Sequence, residues 1–320
     1  MDTLESLTSS NRYSSIAFPD ERIVSIGTLS KRQKADQIQP TRRIPGVSQL
    51  LAIASGKGGV GKTTVAVNLA LALHQDGARV GLFDADLYGP NMPLMLGVRR
   101  ERSASGYVPV ARADSAPYIP PLERFGLKVM SMGFVIGETQ AVLPDAHLAG
   151  HIIRQTLQDV VWGELDFLLL DFPPGSGEPQ RTLLNTIPID GALIVTTPQD
   201  LSLLDASRSL DMFRRAGVPI VGVIENMSYL NCPHCGESVE VFYRSKHDWT
   251  VEDEELTLLG RIPMDIAISR GINAGHPLVQ AVPDAPQALA FRNIAAKVSN
   301  KLAESQGARA SKADLDQGAR

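Results

Sequence analysis

From residue 50 onward the chain alternates short apolar runs with longer segments in which apolar residues recur at helical spacing. The runs are LLAIAS (50–55), RVGLFDAD (79–86), LKVMSMGF (127–134), DFLLLDFPPG (166–175), GALIVTTP (191–198) and PIVGVIENMS (219–228). Each is bounded by Gly, Pro or Asp and is too short for a helix of ordinary length, which predicts strands buried on both faces. TTVAVNLALALHQDG (63–77), LSLLDASRSLDMFRRAG (201–217) and AFRNIAAKVSNKLAES (290–305) predict helices. Buried strands alternating with helices predict an α/β fold with a doubly wound, mostly parallel sheet, right-handed crossovers and a ligand site at the carboxyl ends of the strands.

The same pattern divides the chain. Residues 1–48 are polar, carry KRQK and TRR clusters and show no sustained period, so a flexible N-terminal arm is expected. Residues 49–304 form the α/β domain, with an insertion at about 228–254, and 305–320 form a polar C-terminal tail. The stretch 98–125, holding Pro109, Pro117, Pro120 and Pro121, is poorly patterned and is expected to be an excursion or short hairpin. No internal repeat is visible.

Composition narrows the class. With 43% hydrophobic residues, 21% charged residues and a formal charge of -4, no global field draws the chain to nucleic acid or to an acidic membrane. Apolar runs such as FLLL (167–170) fall far short of the roughly 20 residues that a spanning helix needs. The start, MDTLESLTSS, has no basic segment followed by an apolar core, and Asp2, Glu5, Asp20 and Glu21 disfavour a transit peptide. The two cysteines, Cys232 and Cys235, lie together in NCPHCGE rather than scattered as in a disulfide scaffold. A cytoplasmic protein is expected.

GKGGVGKTT (56–64) carries the chemistry. Gly56, Gly61, Lys62 and Thr63 fill the phosphate-loop pattern GxxxxGK[ST], after a predicted strand and at the start of a predicted helix. Glycines let backbone N–H groups close around phosphates, the helix N-terminus adds positive potential, Lys62 balances phosphate charge and Thr63 ligates Mg²⁺. Carboxylates must come from neighbouring strand ends. Asp171 ends an apolar run and suits the Mg²⁺ role, while for Asp84 and Asp86 a turn hydrogen bond remains an alternative to chemistry.

GKGGVGKTT, FDADLYGPN, VMSMGF, LLLDFPPGSGE and above all ENMSYLNCPHCGE resemble the Mrp/Nbp35 (ApbC-type) iron–sulfur cluster carriers, a branch of the deviant Walker A (MinD/ParA-like) P-loop ATPases. The resemblance covers about residues 50–300. It implies ATP bound by Gly56, Lys57, Gly58, Gly59, Val60, Gly61, Lys62, Thr63 and Thr64, in a homodimer where Lys57 reaches the partner's phosphates. It further implies that Asp86 orients or deprotonates the attacking water, that Asp171 supports Mg²⁺, and that Asn226 and Pro263 lie at the adenine.

Cys232 and Cys235 have the spacing of a thiolate pair on one metal or cluster face. Two thiols cannot complete a four-thiolate set, but two chains related by a two-fold axis can. A bridging [4Fe–4S] cluster handed to apo iron–sulfur proteins follows from the family. Zinc on the same thiolates or with His234 and His247, a redox dithiol, and a ParA/MinD-type positioning ATPase stay open as alternatives. All six histidines read as surface or structural.

Departures from the family pattern are also present. An additional N-terminal domain found in many bacterial members is expected to be absent. AVLPDAHLAG (141–150) stands where a WRGP-like stretch is usual, Asn91 replaces a serine, and VFYRSKHDWT (241–250) replaces a glycine-rich run.

Overall fold

The computed structural model describes residues 43–98, 110–112, 115–134, 146–232, 234–242, 250–251 and 254–318. Eight strands form the main sheet: β1 (Val47–Ala54), β2 (Val80–Asp84), β3 (Leu122–Arg124), β4 (Leu127–Ser131), β5 (Leu165–Asp171), β6 (Gly191–Thr196), β7 (Ile220–Glu225) and β8 (Leu258–Arg261). Their order is β8-β7-β6-β1-β5-β2-β4-β3, parallel throughout except for the edge pair β3 and β4. All six apolar runs supply strands of this sheet, as the pattern predicts.

The helices are α1 (Lys62–Gln75), α2 (Met92–Met95), α3 (Ala146–Asp159), α4 (Glu178–Thr186), α5 (Asp200–Arg215), α6 (Ile266–Asn273), α7 (Leu278–Ala281) and α8 (Pro286–Gly318). Every residue of α1 from Val65 to Leu73 is buried, because the helix is enclosed between the sheet and α7 and α8. A helix apolar on all sides is stable only when so enclosed. The core also takes in Trp162, Phe83, Phe172, Phe213 and Phe291, each less than 2% exposed.

Two expected boundaries move. Of the expected arm, residues 1–42 lie outside the described residues, whereas residues 43–48 pack on the domain. Ile44 is buried in the core, the Val47 N–H bonds Ile44 O at 3.2 Å, and Arg43 pairs with Asp190 at 3.1 Å. At the other end the expected polar tail continues α8 to Gly318. Its Ala, Lys, Gln and Arg residues are good helix formers, and no proline interrupts them.

The poorly patterned stretch contains an antiparallel hairpin of Val110–Arg112 with Ser115–Tyr118, as expected. The insertion holds two more, Leu230–Asn231 with Ser238–Val239 and Thr250–Val251 with Glu254–Glu255. Of the departures from the family pattern, residues 141–145 and 243–249 lie outside the described residues, whereas 146–150 open α3. Among the described residues no helix is long and apolar enough to cross a membrane.

Candidate functional site

β1, β2, β5, β6 and β7 run parallel, so the loops that follow them gather at one edge of the sheet. The loop after β1 holds residues 55–61. Gly58 and Gly59 are exposed, and a Cβ on either would meet nothing within 4 Å, so this face is open for a ligand to approach the backbone. On the inner side the loop is tight. A Cβ on Gly56 would fall 2.0 Å from the Asp205 carbonyl carbon, and Gly61 takes φ +80° directly before α1. Only glycine meets both demands.

Lys62 and Thr63 open α1 and converge on one carboxylate. Lys62 Nζ lies 2.5 Å from Asp171 Oδ1, and Thr63 Oγ1 donates to Asp171 Oδ2 at 2.6 Å. Asp171 is fully buried at the end of β5, and Lys62 is 7% exposed. Burial pushes the Asp171 carboxyl above the ordinary aspartate range, while Lys62 and Thr63 act against that rise. Asp171 thus stands directly behind the Thr63 hydroxyl at the start of α1. The Thr64 carbonyl accepts a 2.9 Å bond from Asn68 Nδ2 inside α1.

Asp84, at the end of β2, stands beside Asp171 in register. It is 1% exposed and accepts hydrogen bonds from Ser131 Oγ (2.9 Å) and the backbone N–H groups of Asp86 (3.1 Å) and Met92 (3.4 Å). Burial first, then the neighbouring Asp171 charge, pushes its pKa up to about 7. Asp86 is half-buried, and its Oδ1 accepts the Gly89 N–H at 3.2 Å. The two acids therefore divide: Asp84 faces inward and holds both ends of the loop, while Asp86 sits on that loop nearer solvent. Asn91 folds onto the same loop, donating to Gly89 O at 2.8 Å.

Lys57 is half-buried, with Nζ 3.3 Å from Oε1 of Gln199, the residue capping α5. Ser55 Oγ holds the Lys57 carbonyl at 3.0 Å. Asn226, which follows β7, places Nδ2 2.8 Å from Val60 O and so braces the phosphate loop from behind. Next to it the buried Glu225 pairs with Arg261 Nε at 3.2 Å and accepts from Ser228 Oγ. Pro263 lies just past β8, where Met264 N–H bonds Tyr229 O at 2.7 Å.

The cysteines cap the hairpin of Leu230–Asn231 with Ser238–Val239. Cys232 N–H donates to Glu237 O (2.8 Å), and Gly236 N–H to Cys232 O (2.9 Å), which folds Gly236 and Glu237 back onto Cys232 as a knuckle. Cys232 is half-exposed and Cys235 exposed. The N–H groups of Cys235 and His234 point at the Cys232 sulfur, and with the Cys235 thiol they hold it below the ordinary thiol range. Among the described residues no group of three or more His, Cys, Asp or Glu is placed to hold a metal. His247 lies outside the described residues; His74 Nδ1 hydrogen-bonds Ala78 O at 3.1 Å, and His276 packs on the Phe125 ring.

The sequence pattern pointed to the phosphate loop, Asp171, Asp86 and the cysteine pair. It passed over Ser131, Gln180, Gln199 and the Glu225–Arg261 pair. Ser131 ends its strand inside the run LKVMSMGF and Gln199 follows the run GALIVTTP, and a polar residue at a strand end is the available signal.

Known proteins share the sequence and the fold of this chain. The family described as NUBPL iron-transfer P-loop NTPase (ParA) matches residues 46–299. An iron-sulfur cluster carrier protein from Pyrococcus abyssi is 43% identical over 80% of this chain and 88% of its own. The iron-sulfur cluster transfer protein NUBPL of Dictyostelium discoideum is 37% identical, covering 81% of this chain and 78% of its own. A nucleotide-binding protein from Archaeoglobus fulgidus, solved in complex with ADP, superposes with a TM-score of 0.62 at 32% identity, covering 78% of this chain and 93% of its own. The cell division ATPase MinD of Pyrococcus furiosus shares the fold more distantly, with a TM-score of 0.54 at 27% identity over 79% of this chain and 99% of its own. By its matching residues, its sheet order and its phosphate loop, the chain belongs to the NUBPL iron-transfer P-loop NTPase family.

Proposed function

We propose that this chain is an ATP-binding and ATP-hydrolysing homodimer that carries a [4Fe–4S] cluster between its two Cys232–Cys235 pairs and passes it to apo iron–sulfur proteins. The observation that carries this reading is the presence, in one chain, of the Lys62–Asp171–Thr63 cluster and an exposed thiol knuckle that begins only six residues beyond Asn226, which braces the same phosphate loop.

The residues fit a nucleotide with Mg²⁺. Gly58 and Gly59 leave the backbone open, the α1 N-terminus faces the loop, and Lys62 supplies a buried cation. Thr63 Oγ1 and, behind it, Asp171 would hold Mg²⁺, which supplies positive charge to the phosphates when bound. Lys62 then exchanges its partner, leaving Asp171 for phosphate oxygens. Asp86, on the loop braced by Asp84, orients the attacking water. Lys57 leaves Gln199 to reach the phosphates bound by the other subunit, a role like that of an arginine finger. Asn226 and Pro263, at the ends of β7 and β8, flank the base.

The cluster is cargo. Each chain supplies two thiols, the described residues offer no third ligand within the chain, and a two-fold pair of knuckles completes a four-thiolate set. Backbone N–H groups aimed at Cys232 favour the thiolate that binds iron. Such reactive thiols suit the reducing cytoplasm, where no nucleic acid or membrane is required as partner.

The test is anaerobic reconstitution with iron and sulfide of wild type and of a Cys232→Ser, Cys235→Ser double variant, with iron, sulfide and zinc measured alongside dimer mass. The expected result is about one four-iron cluster per dimer in wild type and none in the variant. Stoichiometric zinc without sulfide-dependent absorption would overturn the carrier reading in favour of a zinc-clipped dimer.

A further inference from the structure

The segment Phe172–Gly177 joins Asp171 to α4 and is held by a side chain that none of the roles above uses. Gln180 lies in the first turn of α4 and is 3% exposed. Its Nε2 donates to Pro173 O at 3.1 Å and also to Pro174 O. Its Oε1 is buried and has no hydrogen-bond partner among the described residues. A Cβ on Gly177, the residue capping α4, would lie 3.5 Å from that oxygen, so the unsatisfied acceptor faces the helix cap.

The loop is tied at a second point. Gly175, at φ +90°, donates its N–H to Ser55 O at 3.1 Å, and the fully buried Ser55 in turn holds the Lys57 carbonyl through its hydroxyl. One chain of bonds therefore runs from Gln180 through Pro174 and Gly175 to Ser55 and the Lys57 backbone. A buried acceptor left without a donor disfavours the arrangement that contains it. At the third position of a helix, a glutamine oxygen has a natural donor in the N–H of the capping residue.

We propose that Gln180 is a positioning residue for nucleotide hydrolysis: it holds the Pro173 and Pro174 carbonyls in the arrangement observed, and its Oε1 takes the Gly177 N–H when Gly175 N–H leaves Ser55 for the terminal phosphate. The amide thereby selects between two settings of the loop behind Asp171. This inference rests on the ATP-hydrolysis reading above and adds the element that couples the loop to the terminal phosphate.

Two substitutions test it in the full-length protein. Gln180→Met keeps length without hydrogen bonds, and Gln180→Glu keeps acceptors but cannot donate to the two carbonyls. Steady-state Mg-ATP hydrolysis and Mg-ADP titration are measured for each, with thermal melts to confirm folding. Both variants are expected to bind ADP within about twofold of wild type while kcat falls about 10- to 100-fold, as misplacement of a reacting loop does. Unchanged kcat in a folded variant overturns the proposal, and so does a loss of ADP affinity matching the loss of rate, which marks a merely structural role. Should Gln180→Met fail to fold, Gln180→Glu alone decides. Wild type that does not hydrolyse ATP removes the hydrolysis reading and this inference with it, whereas active wild type with unaffected variants removes this inference alone.

Discussion

Gly61→Ala tests whether Asn226 and the phosphate loop are one mechanical unit. Gly61 sits at φ +80°, a left-handed conformation that costs a residue with a Cβ roughly 1–2 kcal/mol. The added Cβ would also lie 2.3 Å from Asn226 Nδ2, so the amide must leave and its buried 2.8 Å bond to Val60 O is lost. A buried carbonyl left without its donor costs about 1–3 kcal/mol. Together these predict that Gly61→Ala destabilises the fold by roughly 2–5 kcal/mol.

Asn226→Ala alone removes the same bond and costs about 1–3 kcal/mol. In the double variant that loss is incurred only once, so its cost should match that of Gly61→Ala alone. The cycle should therefore show a coupling of about 1–3 kcal/mol rather than additivity. Urea denaturation of the wild type, both single variants and the double variant, compared at a common slope, gives the four numbers. Additivity to within about 0.5 kcal/mol would refute the reasoning, because independent sites behave that way.

Two further outcomes follow from the acids and from Lys57. Asp84 binds its proton more tightly folded, at about 7, than in its ordinary state at 3.8. Its contribution is thus fully favourable below about pH 4, is lost as pH rises toward 7, and is flat above, with an upper bound of about 4 kcal/mol. Asp84→Asn should flatten the decline in stability between pH 5 and pH 8, leaving the part due to Asp171, whose carboxyl burial also pushes up; equal slopes in urea midpoints for variant and wild type would refute this. Among the described residues Lys57→Ala breaks one side-chain contact, that with Gln199 at 3.3 Å, so ADP affinity should hold while ATP turnover falls at least about tenfold. Turnover at the wild-type rate would remove the cross-subunit role.

The buried strands and the helix α1 were legible because burial on both faces leaves an uninterrupted apolar run, and burial on all sides leaves a helix with no polar stripe. GKGGVGKTT was legible for a related reason. Glycine at φ > 0 and a lysine and hydroxyl at a helix start are local requirements, written in consecutive residues. Asp171 and Asp84 could be placed at strand ends by the apolar residues before them, and the cysteine pair by its own spacing. The place of Ile44 was not legible for a local reason: it is a single apolar residue among polar neighbours, and only the packed core shows it to be buried.

What the chain pattern left open was decided where residues distant in sequence meet. Lys62 and Asp171 are 109 residues apart, Val60 and Asn226 are 166 apart, and Lys57 and Gln199 are 142 apart. Parallel strands bring these pairs together only through crossovers, so no local period records them. The separate tasks of Asp84 and Asp86 are likewise tertiary, since burial beside Asp171 and Ser131 turns one inward and leaves the other on the loop. Gln180 shows the same limit: as one polar residue on a helix it carries no signal, and its place against two carbonyls and an empty acceptor position exists only once β5 and α4 are packed.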